Sequence, residues 1–260
     1  VSGFRTWDST SGKMIAVHGG EDDFLSGEGA IELSSGRIFS WQIGHKIRTW
    51  DPNSGDLLWA TKGSEAGTNG AIELSDGSIL TWSNDGRLRT WDPGSGERLS
   101  LMEGPEADRD DVRGAIELSD GRILSWHDSH DRLRTWDAGS GRMIAVMEGH
   151  TNGIEGALEL SDGRVLSWGW DKTLRTWDPQ SGASSSIFEG HDRAVEGAIE
   201  LPEGRILSWS DDDTLRIWDS KTGDLLVDWE GHRMGVTGAI ELSDGRILSW
   251  SLGGHELRTW

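Results

Sequence analysis

Serine, histidine and aspartate are the side chains of nucleophilic acyl-transfer catalysis, and the sequence places them twice at the same spacing. In each set a histidine precedes a serine by 17 residues, and an aspartate follows that serine after four. The two sets are His150, Ser167 and Asp171, then His191, Ser208 and Asp212. An active site is normally single, so this duplication favours a structural role over a catalytic one.

A second candidate chemistry is general acid–base catalysis by carboxylates. A glutamate recurs in every copy of a repeated stretch, and an arginine stands five positions after it in five copies. The pairs are Glu32/Arg37, Glu117/Arg122, Glu159/Arg164, Glu200/Arg205 and Glu241/Arg246, and Ser78 replaces the arginine after Glu73. Five equivalent carboxylates predict structural ion pairs, each worth about 0.5 kcal/mol at an exposed position.

These residues belong to a repeat that organises the whole chain. The stretch from Gly156 to Trp168 has near-copies that begin at Gly29, Gly70, Gly114, Gly197 and Gly238. A phrase related to Thr-Trp-Asp follows each copy, and one more stands at the start. Its tryptophans, Trp7, Trp50, Trp91, Trp136, Trp177, Trp218 and Trp260, are 43, 41, 45, 41, 41 and 42 residues apart. This period indicates one supersecondary unit repeated around a ring or along a stack.

The repeated stretch predicts a β-hairpin. Asp162-Gly163 lies between two apolar runs, which is a strong signal for a two-residue turn. That turn sets Ala157 opposite Trp168, and the same register in all six copies sets a small residue opposite the largest one. We therefore expect Ala-Trp pairs that let the indole rings pack without strain.

Two further strands complete each repeat. Residues 173–177 predict a third strand, Asp178-Pro179 begins a type I turn, and residues 183–188 predict a fourth strand. No segment shows helical periodicity. Four short antiparallel strands per repeat predict an all-β fold, a β-propeller of four-stranded antiparallel blades.

The terminal strands set the expected number of blades. A third-strand copy, Phe4 to Trp7, and a fourth-strand copy, Lys13 to His18, precede the first hairpin. If the fourth-strand copy completes the blade of residues 238–260, the chain has six blades in a single domain over residues 1–260, starting mid-blade at 4–7. The surplus third strand leaves an incomplete seven-bladed ring and a segment of a longer repeat array as alternatives. Unpaired terminal strands could also associate between two chains.

The sequence resembles the WD-repeat β-propeller family over essentially the whole chain. The family's repeat carries Gly-His, a Ser or Thr late in the second strand, an Asp in the next turn and Trp-Asp at the end of the third strand. The resemblance implies a buried hydrogen-bonded tetrad in each blade, and therefore no enzyme. Two repeats match in full, with His150, Ser167, Asp171 and Trp177, and with His191, Ser208, Asp212 and Trp218. Elsewhere Ser64 and Pro105 stand at histidine positions, and Gly44 and Gly253-Gly254 stand at aspartate positions.

Composition narrows the choice of partner. The formal net charge is −20, with 25 Lys and Arg against 45 Asp and Glu. Neither nucleic acid nor an acidic membrane surface is expected to bind such a chain, whereas a partner with basic residues fits it. There is no cysteine, which removes thiolate sites, and no apolar run of about 20 residues that could span a bilayer. These features favour the cytoplasm.

Two loops between repeats are longer than their counterparts and acidic. One holds Asp22 and Asp23, and the other holds Asp108, Arg109 and Asp110. Charged loops of variable length on a rigid scaffold are typical recognition sites. We expect these five residues to contact a partner.

Two single residues are further candidates for partner contact. Trp170 stands on a turn where other repeats carry non-aromatic residues, and it could anchor a partner. His127 lies at a longer turn, where Asp128, His130 and Asp131 could also join it around a divalent ion. That metal site is the weaker alternative, and we expect neither a metal nor a cofactor.

Together these patterns predict a non-catalytic interaction scaffold that binds a protein or peptide through its blade loops and central opening. One alternative is a multivalent carbohydrate-binding propeller that stacks sugars on the repeated tryptophans. Burial of those tryptophans inside the sheets would count against it. Another alternative is a sensor module of a larger regulatory protein.

Overall fold

The computed structural model describes residues 4–18, 27–42, 46–64, 66–105, 111–127 and 131–260. These residues form 25 β-strands and a 3-10 turn at Pro202–Gly204. The prediction of an all-β fold is confirmed. A search of the same residues finds no helix with the length and apolar character needed to cross a membrane.

The strands form seven antiparallel sheets, and five of these have four strands. The two-stranded sheet consists of β1 (Phe4–Trp7) and β2 (Met14–His18). The four-stranded sheets are β3 (Gly27–Glu32), β4 (Ile38–Gln42), β5 (Lys46–Trp50) and β6 (Leu57–Lys62); β7 (Thr68–Glu73), β8 (Ile79–Ser83), β9 (Arg87–Trp91) and β10 (Arg98–Glu103); β11 (Val112–Glu117), β12 (Arg122–His127), β13 (Arg132–Asp137) and β14 (Met143–Glu148); β15 (Ile154–Glu159), β16 (Val165–Gly169), β17 (Leu174–Trp177) and β18 (Ser184–Phe188); and β19 (Val195–Leu201), β20 (Arg205–Ser210), β21 (Thr214–Asp219) and β22 (Leu225–Glu230). The three-stranded sheet consists of β23 (Gly238–Glu241), β24 (Ile247–Ser251) and β25 (Glu256–Thr259).

Strands pair in chain order within every sheet, so the two ends of a sheet carry different connections. One end holds the turn between the second and third strands and the segment that leads into the first strand. We call this the upper end. The lower end holds the first-to-second and third-to-fourth turns.

The chain divides into two compact units. The first comprises residues 1–117, 121–123 and 136–143, and the second comprises residues 118–120, 124–135 and 144–260. The single domain expected over residues 1–260 stays a prediction.

The hairpin register differs from the predicted one by a single residue. Trp168 lies opposite Gly156, and Ala157 lies opposite the next residue toward the turn, Ser167. The same pairing joins Gly29 and Trp41, Gly70 and Trp82, Gly197 and Trp209, and Gly238 and Trp250. The prediction of Ala-Trp pairs is therefore wrong.

The length of the turn explains this shift. Leu160 donates its backbone N–H to the carbonyl oxygen of Arg164 at 2.8 Å, so the hairpin loop contains three residues and not two. A three-residue loop needs a left-handed residue at its end. Gly163, with a φ of 84°, supplies that conformation.

The glycine of each Gly-Trp pair is required by the indole ring that covers it. A methyl group on Gly156 would lie 2.5 Å from Cζ2 of Trp168, which is closer than non-bonded carbon atoms approach. A methyl group would also overlap the paired tryptophan at Gly29, Gly70, Gly197 and Gly238. The small residue that accommodates the tryptophan is thus glycine.

The repeated glutamate connects neighbouring sheets and does not pair with the arginine of its own hairpin. Glu159 accepts hydrogen bonds from the backbone N–H of Ser119 at 2.6 Å and from its hydroxyl at 2.8 Å. Arg164 instead pairs with Asp162 at 2.8 Å, so the ion pair predicted for Glu159 is wrong. The same two bonds join Ser34 to Glu73, Ser75 to Glu117 and Ser161 to Glu200. We call these four contacts the glutamate-serine bridges.

The pairing of β2 also differs from the prediction. β2 pairs with β1, where Val17 lies opposite Arg5, and the described residues of β23–β25 form a separate sheet. The prediction that residues 13–18 complete the last sheet is therefore wrong. The number of blades stays a prediction.

The core lies between successive sheets. In the second unit one cluster joins two neighbouring sheets; its members are Leu160, Leu166, Leu174, Phe188, Val195, Ala198, Ile206 and Trp218. Trp177 and Trp218 are at most 1% exposed. Within each unit, neighbouring sheets therefore bury apolar faces against one another, as the period of the sequence indicates.

Candidate functional site

The four residues of the first predicted tetrad meet at the upper end of sheet β15–β18. Nε2 of His150 lies 2.7 Å from Oγ of Ser167, and Nδ1 lies 2.8 Å from Oδ2 of Asp171. Trp177 donates its indole N–H to the same serine oxygen at 2.8 Å. Ser167 has no exposed surface, so its hydroxyl is both hydrogen-bonded and closed to a substrate.

The second predicted tetrad has the same geometry one repeat later. His191 lies 2.8 Å from Ser208 through Nε2 and 2.8 Å from Asp212 through Nδ1. Trp218 donates its indole N–H to Ser208 at 2.8 Å. Because the sites are copies, each holds its own β-turn and strands together in the same way.

Both tetrad aspartates are held in their ionised form. Burial raises the pKa of Asp171 and of Asp212, but hydrogen bonds and the charge of the neighbouring histidines outweigh it. The pKa of Asp171 lies below its ordinary 3.8, and the pKa of Asp212 lies well below it. Carboxylates with so low a pKa are weak proton acceptors at neutral pH.

The second repeat has Ser64 in place of the tetrad histidine and keeps two of the tetrad's bonds, one from the tryptophan to the strand hydroxyl and one to the aspartate. Trp91 donates its indole N–H to Thr81 at 2.9 Å, and the Ser64 hydroxyl hydrogen-bonds to Asp85. Arg89 donates to the other side of Asp85 at 2.6 Å. The arginine was not predicted as part of this network, because its role depends on how the third strand faces the turn.

The last repeat contains a different acid. His232 lies 2.7 Å from Ser249 through Nε2, and Nδ1 lies 3.5 Å from Glu256. Burial and the nearby Arg258 lower the pKa of His232, and Glu256 and Asp213 raise it by less. Glu256 was missed because it lies at the start of a strand and not in the turn that carries aspartate in other repeats.

Trp170 projects from the upper end of the second unit. Its indole N–H donates to Glu155 at 2.9 Å, its backbone N–H donates to the carbonyl of Gly153 at 2.9 Å, and its side chain is 45% exposed. The hydrogen bond fixes one edge of the ring and leaves apolar surface in contact with solvent. This is the arrangement of an anchor residue that meets a partner with little loss of rotamer freedom.

Of the other residues expected to contact a partner, His127 is the one that the structure describes. His127 is fully buried, and its Nε2 lies 2.8 Å from Nη1 of Arg134. The expectation that His127 contacts a partner is therefore wrong, because the strand β12 continues through this position and turns the ring inward. Asp22, Asp23, Asp108, Arg109 and Asp110, and the expected ion ligands Asp128 and His130, lie outside the described residues.

A charged groove at the upper end of the second unit was not predicted. It lies where sheet β19–β22 meets the segment leading into β23, and consists of adjoining pockets of about 570 and 580 Å³. The two pockets share Asp192, Asp212, Asp213 and Arg233. Met234 forms part of its wall and is 64% exposed, and Leu252 on the following turn is 72% exposed. Volumes of this order are typical of ligand pockets.

A metal site is not evident in the part of the chain that the structure describes. No cluster of three or more histidine, aspartate or glutamate side chains there has the arrangement needed to hold an ion.

Comparisons with solved structures identify the fold. The computationally designed Ika8 protein matches 98% of this chain and 76% of its own, with a TM-score of 0.78 and 22% identity. The WD40 β-propeller domain of Doa1 matches 88% of this chain and 76% of its own, with a TM-score of 0.61 and 20% identity. The chain has the β-propeller fold.

Comparisons of sequence add no family. No model of a protein family matches the chain, and no curated protein matches its sequence. The resemblance to WD repeats rests on the repeated residues and the shared fold.

Proposed function

We propose that this chain is a non-catalytic interaction module that binds a protein or peptide through the upper ends of its sheets. The observation that carries the proposal is the exposure of Trp170, Met234 and Leu252 at these ends, by 45%, 64% and 72%. They stand among charged turns on a rigid scaffold. Exposed anchors with a polar surround are the usual composition of a binding surface.

The tetrads support a structural role over a catalytic one. Ser167 and Ser208 are completely buried, and each already accepts an indole hydrogen bond and bonds to a histidine. A serine nucleophile must instead reach the substrate. The fold shared with the Doa1 WD40 propeller domain fits an interaction module, although fold alone does not determine function.

The repeated tryptophans speak against the carbohydrate-binding alternative. In the described residues the tryptophans with more than a third of their surface exposed are Trp7 and Trp170. The tryptophans of the described Gly-Trp pairs are buried or partly buried, and each lies over its glycine, so one face of each ring is already covered. A lectin that uses one tryptophan per repeat would need those faces.

A partner with basic residues fits the charge of the chain best. The net charge of −20 attracts cationic segments and speeds their association at low salt. Nucleic acid does not fit this negative charge, because it is bound by clusters of lysine and arginine. We therefore expect the bound segments to be enriched in lysine and arginine.

A peptide-display selection tests the proposal. The immobilised chain is exposed to a random 12-residue peptide library, and enrichment is compared for the native protein and for Trp170→Ala. Ile187→Ser is the matched control, because Ile187 is also 45% exposed but lies on the outer strand β18. We expect enriched peptides to lose at least about 10-fold in affinity on Trp170→Ala, as for an interface anchor, and to keep it on Ile187→Ser.

The opposite results would contradict this function. Peptides that bind equally to the native chain and to Trp170→Ala would show that the upper end of the second unit is not the binding surface. A selection that enriches no peptide, while the protein remains folded on the support, would contradict a peptide-binding module.

A further inference from the structure

We propose that two copies of this chain associate by exchanging strands, so that the hairpin β23–β24 of one copy completes the sheet β1–β2 of the other. The sheet β1–β2 consists of a third-strand and a fourth-strand copy of the repeat, and in the described residues the other edge of β1 is unpaired. An open edge of this kind accepts a further strand through backbone hydrogen bonds. Three features at this edge, a cavity, a glutamate and an indole N–H, match features of the hairpin. The association adds to the proposed function and does not depend on it.

A cavity of about 380 Å³ lies beside the open edge of β1. Ala30 and Ile38 line it; the alanine is exposed and the isoleucine is partly exposed. At the same positions of a later sheet, Ala198 and Ile206 belong to one buried cluster with leucines from the first two strands of the preceding sheet. The sheet β1–β2 lacks those two strands, so the cavity occupies the place of a hairpin.

The hairpin β23–β24 carries two leucines that are incompletely buried. Leu242 and Leu248 are partly exposed, whereas the apolar residues at these positions of the four-stranded sheets are at most 4% exposed. Those residues are Leu33 and Phe39, Leu74 and Leu80, Leu118 and Leu124, Leu160 and Leu166, and Leu201 and Leu207. In the cavity of a second copy, Leu242 and Leu248 would cover Ala30 and Ile38, which removes apolar surface from water on both sides.

An unformed glutamate-serine bridge provides an independent match. Glu32 lines the same cavity, is exposed and has no hydrogen-bonding partner among the described residues. Ser243, next to Leu242 in the hairpin loop, also has none there, although Ser161 at the same position bonds to Glu200 at 2.7 Å. A hairpin seated in the cavity brings Ser243 to Glu32 as the serine of the preceding sheet, so a further bridge forms between the two copies.

Trp7 provides the third match. It is 58% exposed, and its indole N–H has no acceptor among the described residues. The corresponding tryptophans donate to a hydroxyl of the second strand, as Trp50 does to Ser40 at 2.8 Å and Trp260 to Ser249 at 2.9 Å. When β1 lies beside β24 in place of β25, Trp7 can donate to Ser249 of the second copy.

β25 is the strand that the exchange releases. Leu257 on this strand is 70% exposed, whereas the residues at its position in the four-stranded sheets are completely buried; these are Ile47, Leu88, Leu133, Leu174 and Leu215. β1–β2 is held more firmly, because Thr6 donates its hydroxyl to the carbonyl of Pro52 at 3.0 Å and His18 is completely buried with its ring edge toward Trp50. The product is a four-stranded sheet in the order β23-β24-β1-β2. Since each copy carries both the hairpin and the open edge, two copies can exchange reciprocally.

Sedimentation velocity of the intact chain between about 1 and 100 μM tests the association, because the population of a dimer depends on protomer concentration. We expect a species with twice the mass of the chain at the upper concentration. Ala30→Arg fills the cavity and Leu242→Asp puts a charge on the buried side of the hairpin, so each should weaken dimerisation at least about 100-fold. Leu99→Arg, at a 55% exposed position of the outer strand β10, should leave it unchanged. Thermal unfolding establishes that each variant remains folded.

A mixture of two variants distinguishes exchange between copies from closure within one copy. Ala30→Arg keeps an intact hairpin, and Leu242→Asp keeps an intact cavity. An equimolar mixture can therefore form one junction between copies, whereas neither variant can form one alone. We expect dimers in the mixture at about 100 μM and monomers in the separate samples.

Single substitutions test the individual matches. Trp7→Phe removes the indole N–H and Glu32→Gln weakens the bridge, so each should weaken dimerisation about 5-fold. Glu241→Gln is the control for Glu32→Gln, because Pro202 stands where the serine of its bridge would be, and it should have no effect. Leu257→Ser should not weaken dimerisation, because β25 is released.

Four results would overturn the proposal. The chain could remain a monomer at every concentration, or Ala30→Arg could leave the dimer intact. The mixture of Ala30→Arg and Leu242→Asp could contain monomers alone, which would place any closure within one copy. Leu257→Ser could abolish the dimer, which would make the exposed side of β25 the contact. None of these results alters the outcome expected for the peptide selection with Trp170→Ala, so the proposed function stands or falls separately.

Discussion

The glycine of each Gly-Trp pair fixes the register of the repeated hairpins, because it has no Cβ atom under the indole ring. Gly156 and its counterparts lie under an indole ring that occupies the space of a Cβ atom. The sequence shows a glycine and an alanine side by side, and both are small enough to suggest a partner for tryptophan. The choice between them depends on whether the loop has two or three residues, and Asp-Gly occurs in both kinds of turn.

Gly197→Ala should therefore destabilise the chain more than an ordinary glycine substitution. The added methyl group overlaps Trp209 and must displace the ring, which costs about 1–3 kcal/mol of unfolding free energy. Urea unfolding followed by tryptophan fluorescence measures it. Gly139→Ala is the control, since the nearest atom to its added methyl group is Oδ1 of Asp137 at 3.8 Å; equal effects of the two changes would contradict the overlap.

The tetrad aspartates make stability depend on pH. Asp212 accepts hydrogen bonds from Thr214 at 2.6 Å and from the backbone N–H of Asp192 at 2.9 Å, besides its contact with His191. Because its pKa in the folded chain lies well below 3.8, its stabilising effect is complete above that value. The effect is lost as the pH falls toward the folded pKa.

Asp212→Asn should lower the free energy of unfolding at pH 7 by about 2 kcal/mol, the range of a charge-assisted hydrogen bond. The difference from the native chain should narrow at pH 3, where the unfolded aspartate is mostly protonated. Urea unfolding at both pH values provides the measurement, with Asp224→Asn as an exposed control. A difference that stays constant between pH 7 and pH 3 would show that the charge of Asp212 is not responsible.

At the scale of elements, the glutamate-serine bridges order the sheets. Each bridge joins the first strand of one sheet to the hairpin loop of the preceding sheet, about 40 residues earlier. The bridge is missing between the last two sheets. Pro202 stands there in place of the serine, and Glu241 has no hydrogen-bonding partner among the described residues. Proline has no N–H to donate.

This lapse provides a matched pair of substitutions. Glu159→Gln should cost about 1 kcal/mol, because it weakens two charge-assisted hydrogen bonds to Ser119 at an exposed position. Glu241→Gln should change the unfolding free energy by less than about 0.5 kcal/mol. The urea midpoints of unfolding of the two variants measure these effects. A loss of unfolding free energy as large for Glu241→Gln as for Glu159→Gln would contradict the role of the bridge.

The elements that the sequence predicts are those encoded by local patterns. Apolar runs broken by Asp-Gly and Asp-Pro predict the four strands of residues 156–188, and Trp-Asp spacing predicts the repeat. Contacts between repeats are not encoded locally. The sequence therefore predicts a contact between Glu159 and Arg164, five residues away, whereas Glu159 bonds to Ser119. It likewise predicts that residues 13–18 complete the last sheet, whereas they pair with β1.

For the chain as a whole, the fold can be predicted from the sequence, whereas most of the candidate site cannot, because the site depends on contacts between separate segments. The period of the sequence predicts a β-propeller, and the comparison with the WD40 β-propeller domain of Doa1, which covers 88% of the chain, confirms that fold. Trp170, the proposed anchor, is recognisable in the sequence because it breaks the pattern of its turn. The groove was not, because it depends on how Asp192, Asp213 and Met234, which lie on three different connecting segments, pack together.

The proposed function places the binding surface at the upper end of the second unit. Hydrogen–deuterium exchange of the chain, with and without a peptide from the library selection, tests it directly. We expect slower exchange in the upper-end segments 150–154, 169–172, 191–195, 210–214 and 232–236 when the peptide is bound, and unchanged exchange in the lower-end turns 160–163, 219–223 and 242–245. Slower exchange confined to the lower-end turns, or no difference at saturating peptide, would contradict the claim.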